Sequence, residues 1–529
     1  MFTGRKSALV IILFCFIGFI YFVLITSCKN YHRNSTHANV PVASIEAGEA
    51  LAKKYCQSCH LLPDPSLLDT KSWEKGVLPN MGPRLGIFYY GFEMYPSYKN
   101  DKSLGSDFYP SKPVVSFNEW QSIIDYYVAT SPDSLPGQNR KQSIKNELSL
   151  FTVLMPSFHY TNPATSYVKI KAADSLQPLV ISDAQKETVY FFNSKLEFSD
   201  SIKSNGGPVV DIDFRENKML ACNIGIMNPQ NGKFGKGQFI SLQESTSLNN
   251  AALFDTLQRP VQILSSDLNN DGKMDYVVCE FGNLKGAFSW MQNLGNNQFS
   301  RKILRPFPGA IKAYINDYNK DGLADIWVLF SQGEEGIFLY TNKGNGTFRE
   351  KEVLRFPPVY GSSYFELADF NNDGYPDIVY TCGDNSDYST ILKPYHGVYI
   401  YLNDGLNNFK QSFFFPLNGC YKAIARDFDN DGDLDIATIS FFADYARQPE
   451  EGFVYLENRG NYKFQPFSIA QTQAGRWLTM DAGDLDGDGK IDLVLGNFSV
   501  GPTVVKPVND WTHGPPFIVL QNSGKKFSR

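Results

Sequence analysis

Two groups of residues in this chain have the types and spacing to do chemistry. The first occurs five times as an oxygen-rich loop. Its members are Asp267, Asn269, Asp271 and Asp275; Asp317, Asn319, Asp321 and Asp325; Asp369, Asn371, Asp373 and Asp377; Asp427, Asp429, Asp431 and Asp435; and Asp484, Asp486, Asp488 and Asp492. Oxygen side chains at positions 1, 3 and 5, a glycine at 6 for the sharp turn and a carboxylate at 9 can wrap a Ca²⁺ ion with six or seven oxygens. Asx-rich turns explain one such loop, but not the same four oxygen positions in five copies, so about five Ca²⁺ sites are expected. The second group is Cys56-Gln57-Ser58-Cys59-His60. At this spacing two thiols can add to the vinyl groups of a haem while the next residue ligates its iron. A zinc site would want a second Cys or His pair nearby, and neither type recurs before His159.

Each group needs elements to hold it. Residues 45–55 form a helix-favouring run leading into Cys56, with Gly48 offering close approach to a partner. Ser116 and Glu119 stand at capping-box spacing, and Phe117, Trp120, Ile123, Ile124 and Tyr127 recur with helical period. The second helix is expected to cross the first. Residues 44–136 therefore resemble a small class I cytochrome c domain, which implies covalent haem c on Cys56, Cys59 and His60 and a methionine as second axial ligand. Met81, in the stiff segment Leu78-Pro79-Asn80-Met81-Gly82-Pro83, is the preferred candidate and Met94 the alternative.

The five loops recur every 50 to 58 residues, and each final Asp runs into an apolar, β-branched stretch such as Ile326-Trp327-Val328-Leu329. A second turn follows each time at Asn293, Asn342, Asn403, Asn458 and Asn522, with Phe299, Phe348, Phe409, Phe464 and Phe527 just beyond. That is a hairpin signal and predicts four strands per repeat. Two upstream segments, around Val168 and around Val209 to Cys222, fit repeats whose loops lack ligands. Five plus two makes seven blades. From about Leu148 onward the chain resembles the integrin-type FG-GAP, or VCBS, repeat family, which implies a Ca²⁺-stapled β-propeller. The expected fold is mainly β: a seven-bladed β-propeller with Ca-binding loops, preceded by a small all-α cytochrome c-like domain.

The N-terminus reads as an export signal. Arg5 and Lys6 precede an apolar run from Ala8 to Ile25, and Ile25-Thr26-Ser27-Cys28 resembles a bacterial lipobox. The expected organisation is a signal peptide at 1–27, lipidation at Cys28, a flexible tether at 28–43, the haem domain at 44–136, a linker at 137–147 and the propeller at 148–529. The apolar run is also long enough to stay as an uncleaved anchor. Either way the chain is expected outside the inner membrane, periplasmic or at the cell surface. The combination resembles repeat-containing lipoproteins of Bacteroidetes-type bacteria.

A net charge of −6 argues against nucleic acid as a partner. In a four-stranded blade the Ca²⁺ loop and the Asn turn share one face, and the remaining connections share the other. The long insertions, about 383–396, 441–451 and 497–516, fall on that second face and carry Tyr388, Tyr395, His396, Tyr445, Trp511 and His513. This face is expected to bind a redox partner protein, or else a glycan or protein ligand. Cys382 and Cys420 map to the same face and are placed to form a disulfide, whereas Cys222 and Cys279 look like buried strand residues. No nucleophile elbow, dinucleotide fingerprint or His cluster suggests catalysis. The expected role is electron transfer with the propeller as a docking platform; surface recognition or adhesion is the alternative.

Overall fold

A computed structural model describes residues 31–171, 174–204, 206–215, 218–240, 252–506 and 509–525. The export signal, Cys28 and Phe527 lie outside the described residues. Two units are seen, a helical one and a β one.

The helical unit is built on helices α1 (Val42–Tyr55) and α2 (Phe117–Thr130). They cross at Gly48, where an added Cβ would stand 1.9 Å from the carbonyl oxygen of Ser122. Only hydrogen allows that approach. The capping box forms: Ser116 Oγ accepts from Glu119 N–H, and Ser116 N–H donates to the Glu119 carboxylate at 2.8 Å. Trp120, Ile123 and Tyr127 are buried as their spacing predicts, contributing roughly 1.5–3 kcal/mol each by area. Phe117, expected on the same stripe, is the first residue of the helix and is 58% exposed, with its ring 6.4 Å from that of Tyr90.

The expected tether is not free where it is described. Asn34 is buried, donating to Thr70 Oγ1 and Ser131 O, and its own N–H donates to Ala129 O. Residues 31–43 thus belong to the helical unit. The expected linker is also fastened. Gln138 donates to His396 O, Arg140 pairs with the buried Glu451, and Lys145 N–H donates to Pro466 O.

The β unit is a ring of seven four-stranded antiparallel sheets. Blade 3 shows the pattern: Pro260–Ser266, Asp275–Glu280, Ala287–Gly295 and Gln298–Arg305 run in order from the inner to the outer edge. The inner strands of blades 1 to 7 are Thr165–Ile170, Val209–Arg215, Pro260–Ser266, Ala310–Asn316, Ser362–Ala368, Cys420–Arg426 and Trp477–Gly483. Both loop-free repeats occur where the sequence places them. Blade 7 departs from expectation, since its fourth strand is Phe151–Leu154, paired with Phe517–Asn522, and does not follow the Asn522 turn. The start of the propeller chain thereby closes its end. Side chains lock neighbouring blades: Tyr167 donates to Ile212 O, Gln262 accepts from Ala313 N–H, Glu366 from Ala425 N–H, and Asp481 from Ile170 N–H, joining blade 7 to blade 1.

The helical unit rests on the insertion-bearing face of this ring. Val359, Tyr360, Ile391 and Tyr395 of blade 5 pack into its apolar core, Tyr395 donates to Leu67 O, and Asn231 of blade 2 donates to Asp101.

Candidate functional site

The five oxygen-rich loops form one recurring turn. In the first, both carboxylate oxygens of Asp267 accept backbone N–H groups, from Asp271 and Gly272, and Asn269 Oδ1 also accepts from Asp271 N–H. The same bonds recur at Asp317 and Asp369. The ninth position does more than the spacing suggested. Asp275, Asp325, Asp377, Asp435 and Asp492 are buried at the base of their loops. Each accepts the N–H of an Asn at or near the end of strand 3: Asn293, Asn342, Asn403, Asn458 and Asn522, at 2.7–2.8 Å. This carboxylate therefore ties its loop to the third strand. Burial raises the pKa of all five, Asp435 to about 8 and Asp492 to about 6, with neighbouring carboxylates adding to the effect. In blade 6 Asp427, Asp429 and Asp435, and in blade 7 Asp484, Asp486 and Asp492, bring oxygens within 4.8 Å of one another.

The Cys-x-x-Cys-His segment follows α1. Cys56–Ser58 is a 3₁₀ turn, Cys56 is half-buried and its thiol is pushed up to about 11 by burial, whereas Cys59 is exposed. His60 Nδ1 lies 2.8 Å from Leu61 O, which leaves Nε2 for another partner. Burial holds the imidazole below its ordinary value, and Arg355 and Glu334 of blade 4 are close enough to act on it. Met81 is half-buried in the same apolar cluster as Cys56 and Leu62; Met94 is 71% exposed on a short hairpin. Chemically, the donor set suits a haem: two thiols one turn apart, an oriented imidazole and a thioether.

The insertion face corrects the expected aromatic binding surface. Tyr395 is half-buried with its ring against the helical unit, His396 is buried beside it, and Tyr445 and Trp511 are buried against each other with ring centroids 4.6 Å apart. They build the face and do not present it. Tyr388 is 43% exposed and His513 is exposed. Tyr388 stands where the propeller meets the helical unit. Its backbone abuts Gly76, and Arg84, Tyr98 and Tyr109 of the helical unit are near enough to shift its hydroxyl. On the propeller side Asp384, Lys393 and Arg259 act on Asp387; Lys393 is buried with its ammonium donating to Asn385 Oδ1, and Arg259 is buried with its guanidinium donating to Gly282 O and Met227 O. Burial pushes Asp387 up to about 6, and Asp384 adds to the effect, while burial pulls Lys393 down to about 8. No disulfide forms here: Cys382 donates to Tyr395 O and Cys420 lies 3.2 Å from Thr438 Oγ1. The two thiols point to different partners. Cys222 and Cys279 are buried strand residues as read.

Sequence reading missed the lumen. In every blade the inner strand carries an irregularity one or two residues in. The residue just past it is Tyr167, Asp211, Gln262, Lys312, Tyr364, Lys422 and Thr479 in blades 1 to 7, a ring made entirely of polar types. Aligning the repeats on their loops would have exposed this column.

Comparison with known proteins agrees with the fold. Residues 267–328 and 317–380 match the FG-GAP-like repeat family, so this is a seven-bladed propeller carrying FG-GAP repeats. Cartilage acidic protein 1 of Xenopus tropicalis is 31% identical over 196 residues, which is 34% of this chain and 28% of that protein. The mouse protein of the same name is 28% identical over 191 residues, again 28% of its length. The match thus spans under a third of these relatives. An Agrocybe aegerita lectin structure, described as recognising non-reducing terminal N-acetylglucosamine, aligns with 66% of this chain and 96% of its own at a TM-score of 0.38 and 16% identity. Sqt1 of Saccharomyces cerevisiae aligns with 72% of this chain and 99% of its own at a TM-score of 0.42 and 8% identity.

Proposed function

We propose that this is an exported recognition protein in which propeller and helical unit together hold a polar ligand, a glycan or a peptide, where they meet at Tyr388. The observation that carries this reading is the contrast on the insertion face. Most of its aromatic side chains are covered as scaffold, yet Tyr388 stays open beside Asp387 and opposite Arg84 and Tyr109. A tyrosine face for stacking, a carboxylate to accept hydroxyl or amide protons and a guanidinium to donate are the groups such ligands require. Ca²⁺ in the five loops would hold the blades rigid beneath the site. The test is binding of the full chain to a glycan array and to immobilised surface proteins with Ca²⁺ present. Tyr388→Ala and Asp387→Asn are each expected to lower the signal at least about tenfold without moving the melting temperature. Binding that survives both substitutions would place recognition elsewhere.

A second reading is favoured by the fit of the Cys-x-x-Cys-His segment to its group. Cys56 and Cys59 would hold a haem covalently, with His60 Nε2 and Met81 as ligands, and the haem would supply one-electron transfer. In this chain α1 presents the two thiols, Leu61 O orients the imidazole, and the apolar cluster around Met81 and Leu62 excludes water. Lipidation at Cys28 and attachment to a membrane complete the proposed setting.

A further inference from the structure

The propeller lumen contains more cation than its own carboxylates neutralise. Three basic groups near the axis are paired: Lys169 with Asp481 at 3.1 Å, Arg426 with Glu366 at 2.8 Å, and Arg215 with Asp213 at 3.6 Å. The ammonium groups of Lys312 in blade 4 and Lys422 in blade 6 make no hydrogen bond or ion pair among the described residues. Lys312 Nζ lies 4.9 Å from the ring centroid of Tyr314 and 5.9 Å from that of Tyr364 in blade 5, and Lys422 Nζ lies 4.7 Å from the Tyr364 centroid. That ring is held in place: the Tyr364 and Tyr314 hydroxyls are 2.9 Å apart, and Tyr314 donates onward to Phe365 O. Asp211 of blade 2 and Glu366 of blade 5 both act on Lys312, and burial pushes the pKa of Asp211 up to about 6. A cavity of about 300 Å³ opens along the lumen wall beside Lys312, Tyr314, Gln262 and Arg215.

We propose that the lumen is a binding site for a small oxyanion, a carboxylate or a tetrahedral phosphate or sulfate group, held between the ammonium groups of Lys312 and Lys422. Two ammonium groups flanking blade 5, neither in an ion pair, match an anion offering at least two acceptor oxygens. Both lysines are half-buried, so their hydration is incomplete while a path to solvent remains. Burial lowers both, Lys422 to about 8 with Asp481 opposing the effect and Lys312 adding to it, and a bound anion would reverse that cost. The site is independent of the one at Tyr388, which lies at the insertion face.

The experiment titrates the full Ca²⁺-loaded chain at low ionic strength with sodium sulfate and, separately, sodium acetate, followed by calorimetry and thermal shift. One saturable site per chain is expected for at least one probe. Sulfate alone assigns a tetrahedral ester or free oxyanion, acetate alone a carboxylate, and both a general oxyanion site. Lys312→Met with Lys422→Met is expected to weaken binding at least about tenfold, whereas Lys195→Met on the outer surface leaves it unchanged. No saturable binding of either probe overturns the proposal. So does undiminished binding to a double variant that keeps the wild-type melting temperature. Should the double variant fail to fold, Lys422→Gln alone decides: about tenfold weaker binding supports the site, and unchanged binding overturns it.

Discussion

Glu335 shows how one buried side chain sets a pH dependence. It is 2% exposed and accepts from both N–H and Oγ of Ser362, at 3.0 and 2.6 Å. Burial pushes its pKa from 4.5 to about 8, with Asp387 adding to the rise. Between those two values the folded state keeps a proton that the unfolded chain has lost, so its contribution to stability falls as pH rises across that window. Lys393, the cation near it, is itself held down to about 8 by burial and offsets little at the upper end. Glu335→Gln keeps an acceptor for Ser362 but does not titrate. The melting temperature of the variant relative to the unaltered chain should therefore be higher at pH 8 than at pH 5 by about 1–2 °C, with Ca²⁺ saturating. A difference that does not change with pH would refute the assignment. None of this was legible in the sequence, where Glu334 and Glu335 are adjacent and alike. Only the turn that enters the strand Gly336–Asn342 tells them apart, burying one and leaving the other partly exposed.

Among the elements, the crossed helices are where sequence and structure agree most closely. Gly48, the capping box at Ser116 and the Trp120–Ile123–Tyr127 stripe are short-range signals, and each has its expected place. The pair positions the Cys-x-x-Cys-His turn at the end of α1, against blade 4. If this turn carries haem, the full chain matured with a haem-attachment system gives a reduced-minus-oxidised spectrum with c-type bands that resist acid-acetone extraction. Cys56→Ser with Cys59→Ser should abolish them. A colourless product from the unaltered chain would remove the electron-transfer reading and leave the recognition reading standing. The stretch from residue 31 to Pro41 reads as polar and unconstrained, yet it is fixed by Asn34, a side chain whose partners at Thr70, Ala129 and Ser131 come together only in three dimensions.

The whole molecule is a closed ring in which each of five blades depends on a loop crowded with carboxylates. Occupation of one site at a hundredfold excess over its dissociation constant stabilises the folded state by about 2.7 kcal/mol. Five such sites, if the loops bind the cation, would make the ring strongly dependent on it. Chelation is expected to lower the melting temperature of the full chain by at least about 5 °C, with recovery on adding Ca²⁺ back. An unchanged transition would reduce the loops to hydrogen-bonded turns, a role for which their internal bonds to Asp271 and Gly272 N–H and the Asp275–Asn293 tie already suffice. The buried carboxylates that end the loops couple loop to strand in either case, so substitutions at Asp275 and its four counterparts are structural as well as ligand changes.

By itself the sequence determined the number of blades, the place of the five loops, the four-strand pattern and the helix pair, because each rests on residues within a few positions of one another or on a repeat that states the same local rule several times. The tertiary structure decided which strand closes blade 7, that most insertion aromatics are covered scaffold, that the tether and linker are pinned, and that seven separated residues meet around one lumen. Those outcomes depend on contacts between segments up to several hundred residues apart, such as Phe151 with Asn522. Such pairings arise from the geometry of ring closure, which no local pattern encodes.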